Sequence, residues 1–144
     1  MAKRSENHHD EEADRFRGTR AAHEEETAED YVEAIAQIID DHGEARVKDL
    51  AEMMGVSHVT VSRILGRLQK QGLVRTQPYK PVALTEQGRR LAEHSRRRHE
   101  IVLKFLLAIG VPSRQAAIDA EGIEHHVSEA TVRAMKRVLE GDGR

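Results

Sequence analysis

The sequence predicts a mainly α-helical chain with one small β hairpin. Three observations carry that prediction. From about residue 27 apolar side chains recur at three- and four-residue spacing, two short strand-like runs instead flank a turn holding Pro78 and Pro81, and glycines or prolines stand between the periodic segments. A chain of 144 residues holds one or two small domains with a modest core. Having no cysteine, it has no disulfide, thiolate metal site or thiol nucleophile, and it fits a reducing compartment. The longest apolar run, "IVLKFLLAIGV", is interrupted by Lys104 and is well short of the roughly 20 residues that span a bilayer. No apolar leader precedes the charged N-terminus, so a soluble cytoplasmic protein without a membrane partner is expected.

A net charge of −2 conceals a segregation. Residues 1–45 carry 5 Lys/Arg against 14 Asp/Glu, residues 46–98 carry 12 against 4, and residues 99–144 carry 6 against 7. A basic block inside an acidic chain points to one surface that meets a polyanion, with nucleic acid the first candidate.

Residues 1–26 read as a mobile charged tail. Phe16 is their only large apolar side chain, too little to offset the entropy of ordering. His8 and His9 in that tail read as solvated. Tyr31, Ile35, Ile38 and Ile39 then mark a first helix from Thr27 to near Gly43. Asp30 and Glu33 fall about 60° apart on its other side.

In "VKDLAEMMGVSHVTVSRILGRLQKQGLV", Val47, Leu50, Ala51 and Met54 make a short amphipathic helix, Gly55 breaks it, and Ser57 caps a second. Two helices joined by a tight glycine turn form a helix-turn-helix. Val61, Ile64, Leu65 and Leu68 face inward, and Val59, Thr60, Ser62, Arg63, Arg67 and Lys70 are left outward. With Ser57 and His58 at the helix start, that face is suited to read DNA, the alternative being a charged, solvated surface. "GLVRTQPYKPVALTEQG" follows as a strand over Leu73–Thr76, a turn holding both prolines, a second strand over Val82–Leu84 and a helix cap at Thr85. This hairpin reads as a wing, with Tyr79 and Lys80 at its tip beside the sugar-phosphate backbone or minor groove.

A long helix is expected over Glu86–Ala108, ending at Gly110 and Pro112. Leu103, Leu106 and Leu107 exceed what the domain needs for itself. Two further helices, about Ser113–Val127 and Ser128–Leu139, complete a helical unit able to pair across a two-fold axis, as homodimers on palindromic double-stranded DNA do.

The stretch "DAEGIEHHVSEAT" concentrates carboxylates and imidazoles. On one helix Glu121, Glu124 and His125 stand at i, i+3 and i+4, able to close on a single ion, while His126 points about 100° away. His99, Asp30 and Glu33 could complete the shell. By spacing alone a solvated face explains these residues equally well.

The pieces "DYVEAI", "GVSHVTVSRILGRL", "VALTEQG", "RRHEIVLKFLLAIGV" and "DAEGIEHHVSEAT", between about Asp30 and Leu139, jointly resemble the diphtheria toxin repressor family, in its manganese transport regulator branch. The resemblance implies a winged helix-turn-helix DNA-binding domain over residues 27–90, followed by an all-α metal-binding and dimerisation domain over 91–144. It further implies a site for two Mn²⁺ ions at Asp30, Glu33, His99, Glu121, Glu124 and His125. The iron-responsive branch carries methionine in place of Asp30 and cysteine in place of Glu124, and the SH3-like domain of its longer members is expected to be missing. Carboxylates with limited imidazole suit hard ions, although Fe²⁺, Co²⁺, Cd²⁺ and Zn²⁺ could serve as surrogates. The expected function is manganese-dependent repression of manganese uptake, not catalysis. Rival readings are an iron-responsive member of the same family, a winged-helix regulator with a non-metal effector, and a metallohydrolase, which lacks an HExxH pattern and a nucleophile.

Overall fold

Gly43, at φ 85°, ends the first helix in the left-handed conformation that only glycine adopts without cost, its N–H donating to the Ile39 carbonyl at 2.8 Å. That helix, α1 (Lys3–His42), opens a computed structural model that describes the backbone of residues 3–141 and the side chains of residues 23–141. His8, His9 and Phe16 lie outside the described side chains. The backbone is helical from Lys3, so the segment read as an unstructured tail continues α1 over its described part. Glu, Ala and Arg favour helix without any tertiary partner, and no proline interrupts them. Among the described side chains, burial in the core begins at Ala28, and Tyr31, Val32, Ile35 and Ile38 follow it.

The next two helices are α2 (Val47–Met54) and α3 (His58–Lys70). Gly55, at φ 67°, closes α2, and the Ser57 hydroxyl accepts the Thr60 N–H at 3.1 Å to start α3. Leu50 and Ala51 from α2 and Val61, Leu65 and Leu68 from α3 are buried against α1.

The hairpin pairs β1 (Val74–Arg75) antiparallel with β2 (Ala83–Leu84), in the register Val74 opposite Leu84 and Arg75 opposite Ala83. Both strands are shorter than expected. The Thr76 N–H turns to the Gln69 side chain at 2.9 Å instead of the partner strand, and Pro78 and Pro81 have no N–H to give. Ala45 adds a third rung, its carbonyl accepting the Val82 N–H at 2.7 Å. Tyr79, at φ 61°, stands 99 % exposed at the tip.

Thr85 caps α4 (Glu86–Ala108) by accepting the Gly88 N–H at 3.0 Å while donating to the Gly72 carbonyl at 2.6 Å. A Cβ on Gly88 would stand 2.0 Å from the Leu73 carbonyl oxygen, so only glycine lets α4 approach the wing this closely. α4 runs unbroken past the expected boundary between residues 90 and 91. Leu91 and Ala92 pack on the first core, and Val102 and Leu106 form a second core with Ala116 and Ala120. After Gly110 and Pro112 come α5 (Ser113–Ile123) and α6 (Glu129–Leu139), both packed on α4.

α5 stops four residues before its expected end. The Arg98 guanidinium, from α4, takes the carbonyls of Glu124 and Val127, and the chain turns there. Of the leucines expected in excess, Leu106 is buried within its own core and Leu107 is 43 % exposed. Ile109, Ile118, Val138 and Leu139 are also exposed. No described helix is long and apolar enough to cross a membrane.

Candidate metal centre and nucleic-acid interface

α1 presents Glu26, Glu29, Asp30 and Glu33 toward the end of α5, while α4 brings His99 from the far side. The early end of α5 decides how these groups meet. Glu121 stays on the helix, Glu124 caps it, and His125 sits in the turn and reaches across to α1. The three therefore do not close on one point, as an uninterrupted helix would have them do. Donor atoms of Glu26, Asp30 and His125 converge in one group, and those of His99, Glu121 and Glu124 in a second.

Glu124 lies between the groups. Its side chain is 2 % exposed, with Oε2 at 2.8 Å from His99 Nδ1 and Oε1 at 3.3 Å from His125 Nε2. His125, equally buried, has Nδ1 at 2.7 Å from Glu29 Oε2 and Nε2 at 3.0 Å from Asp30 Oδ1. Glu33 lies beside both groups. It lines one cleft of about 300 Å³ with His99 and Glu121, and another of about 460 Å³ with Asp30, Glu121, Met53 and Met54.

The electrostatics are those of negative charge crowded out of water. Burial pushes the Glu124 carboxyl up to about 8, with Glu33 beside it adding repulsion. Burial likewise pushes Glu33 up to about 7, helped by Glu121 and Asp30. His125 is raised to about 10 by its hydrogen bonds to Asp30 and Glu29. Oε1 of Glu33 and Oε1 of Glu124 are buried yet accept no hydrogen bond, which is costly unless something else satisfies them. A cation does so. The donor set, oxygen-rich with two imidazoles, fits a hard divalent ion.

Five of the six residues expected as ligands fall in these two donor groups, and Glu33 lines the clefts beside them. Glu29 and Glu26 were missed. Glu26 shared one signal with the predicted pair, since it stands four residues before Asp30 and so on the same face of α1. His126 is largely exposed, its nearest carboxylate being Glu26 at 3.6 Å.

In the helix-turn-helix, Ser57, His58, Val59, Ser62 and Arg63 are exposed along the start and outer side of α3, and Thr60 is half-buried. Arg67 departs from expectation. Nearly two turns beyond Thr60, it is half-buried and lines a cleft with His23, Glu24 and Thr27 of α1. Between α3 and the wing runs a cleft of about 660 Å³ lined by Arg46, Lys48, His58, Ser62, Tyr79 and Lys80. Arg46 and Lys48 were not foreseen as part of this face, although the basic block begins with them. The Arg46 guanidinium also donates to the Tyr79 carbonyl at 3.4 Å and so braces the wing tip.

Comparison with known proteins covers both surfaces. Residues 25–82 match the model of the iron dependent repressor N-terminal DNA binding domain, and residues 85–141 match that family's metal binding and dimerisation domain. The chain is 46% identical over 134 residues to the transcriptional regulator MntR of Escherichia coli O6:H1, covering 93% of this chain and 86% of that one. It is also 46% identical over 125 residues to the Salmonella typhimurium protein of the same name, covering 87% and 80%. Among solved structures, a manganese-dependent transcriptional repressor in complex with manganese superposes with a TM-score of 0.70 at 32% identity, over 80% of this chain and 53% of that one. This chain therefore spans about half the length of that solved protein.

Proposed function

Because the chain belongs to the iron dependent repressor family through both of its halves, we propose that it is a manganese-responsive repressor whose metal centre is Asp30, Glu33, His99, Glu121, Glu124 and His125. The observation that carries this reading is the position of Glu124, a buried carboxylate whose two oxygens face two different imidazoles. One carboxylate shared between two groups of donors suits two neighbouring ions. A divalent cation bound there cancels the repulsion among the carboxylates and ties α1 to α4 and α5.

The residues of the chain do the rest. Asp30 and Glu33 belong to the helix that forms the floor of the DNA-binding unit, and Glu121, Glu124 and His125 belong to the C-terminal unit. Holding them together fixes how the recognition helix is carried relative to the dimer. The exposed apolar side chains Leu107, Ile109, Ile118, Val138 and Leu139 provide the surface for a second copy. Arg63, Lys80, Arg46 and Lys48 meet phosphates, and the small polar side chains at the start of α3 meet base edges of a palindromic site. Affinity for DNA rises only by the difference in metal affinity between competent and incompetent arrangements, ordinarily about 1–3 kcal/mol. The target is the uptake of the metal itself, repressed when manganese is sufficient. The family is one of transcriptional regulators, so the metallohydrolase alternative falls.

The test is calorimetric titration with manganese chloride, followed by gel shifts on duplexes selected by the loaded protein from a random pool. Specific binding is expected with manganese and lost on chelation. Arg63→Ala or Lys80→Ala should weaken binding to every duplex and reduce the salt slope by about one. Affinity for the selected duplexes that ignores chelator would overturn the metal-switch reading.

A further inference from the structure

Glu29 has no place among the six proposed ligands, yet it makes the shortest contact to His125. Its Oε2 lies 2.7 Å from Nδ1, and only 24 % of its side chain is exposed. The adjacent residue of the same helix, Asp30, faces the other ring nitrogen at 3.0 Å. Two consecutive side chains of α1 therefore grip the two ends of one imidazole.

The backbone on either side of that imidazole is already fixed. Arg98, 13 % exposed, donates to the Glu124 carbonyl at 2.8 Å and also to the Val127 carbonyl. Rotation of the His125 ring is the freedom that remains, and an imidazole can carry its single proton on either nitrogen. A carboxylate accepting Nδ1–H removes both ambiguities. It turns the Nε2 lone pair into the space between Asp30 Oδ1 and Glu124 Oε1, and it makes the ring a stronger donor.

We infer that Glu29 is a positioning residue for the metal centre: it binds no ion, and it holds His125 in the one orientation and tautomer in which Nε2 can. This rests on the function proposed above. It also gives α1 a second grip on the C-terminal unit, through a hydrogen bond in addition to the ligands.

Manganese chloride alone is the probe, titrated calorimetrically into the full chain and its variants. Glu29→Ala is expected to weaken manganese binding about 10- to 100-fold without changing the number of ions bound per chain. Glu29→Gln should recover most of that loss, because its amide oxygen still accepts Nδ1–H. In zinc-loaded protein labelled with ¹⁵N-histidine, the Nδ1 proton of His125 should be visible in the parent and in Glu29→Gln, and broadened by exchange in Glu29→Ala. Three results would overturn the proposal: parental affinity in Glu29→Ala, loss of one ion per chain in that variant, or a proton on Nε2 in the loaded parent. A parent that binds no manganese would instead overturn the function on which the proposal rests.

Discussion

His99 and His125 sit on either side of Glu124, and their surroundings differ. The His125 side chain is 2 % exposed and has carboxylate oxygens of Glu29, Asp30 and Glu124 within 3.3 Å. His99 is 26 % exposed and has one close partner, Glu124, with the solvated Glu121 at 3.7 Å. The His125 group joins α1 to the α5 turn, whereas the His99 group joins α4 to α5, which already share a core. Of the two donor groups, the first is the one that contains residues of α1. Its geometry is preset and closed, so it is expected to bind first and to set the switch, with the open His99 group filling second.

The largest effect should come from the residue common to both groups. Glu124→Ala should abolish manganese-induced operator binding and cost about 100-fold or more in metal affinity, while circular dichroism and the dimer remain unchanged. Retention of one tight ion would mean that the groups are independent. Separating the two histidines comes next: His125→Ala should lose the DNA response, whereas His99→Ala should bind one ion fewer and retain part of it. Equal loss in both would erase the distinction drawn here.

Proton release should sharpen it further. With Glu33 near 7, Glu124 near 8 and His125 near 10, the metal-free centre at pH 6 holds protons on all three groups. Ligation requires their loss, so affinity must rise as pH rises, by about tenfold or more between pH 6.5 and 7.5. Quantifying free manganese by electron paramagnetic resonance at the two pH values measures this, and a flat profile would place the ionisations elsewhere. The smallest effect belongs to His126→Ala. Its side chain is exposed and 3.6 Å from Glu26, so a change below about twofold is expected, within the range of ordinary surface substitutions. Damage equal to that of His125→Ala would turn both residues into general packing groups.

Helices with a clear apolar stripe and a capping signal were legible from the residues themselves. Ser57, Thr85 and Ser128 each cap a helix through a local contact three residues ahead. What escaped was decided at long range. Ala45 joins the wing from 37 positions before its partner Val82, and a lone alanine announces nothing. The end of α5 is set by Arg98, some 26 residues away, although the period through Glu121, Glu124 and His125 reads as continuing helix. That single turn redistributes the ligands into two groups. Glu29 was hidden for a similar reason, since its role depends on where a ring nitrogen arrives from 96 residues further along. Arg67 is less exposed than its helix position suggested, because it shares a cleft with His23, Glu24 and Thr27 of α1.

α4 crosses from the first core to the second without a break, and Gly88 presses its beginning against the wing while Val102 and Leu106 hold its end in the C-terminal unit. Twenty-three residues of helix extend about 34 Å. The helix therefore acts as a ruler with a built-in phase: each residue along it sets both how far a reading head stands from the dimer contact and the compass direction in which that head points. One residue added midway would turn the head by about 100°, whereas four would lengthen the arm by about 6 Å and leave its bearing within about 40°. For the palindromic site proposed above, the spacing of the half-sites would then follow from the length of a single helix.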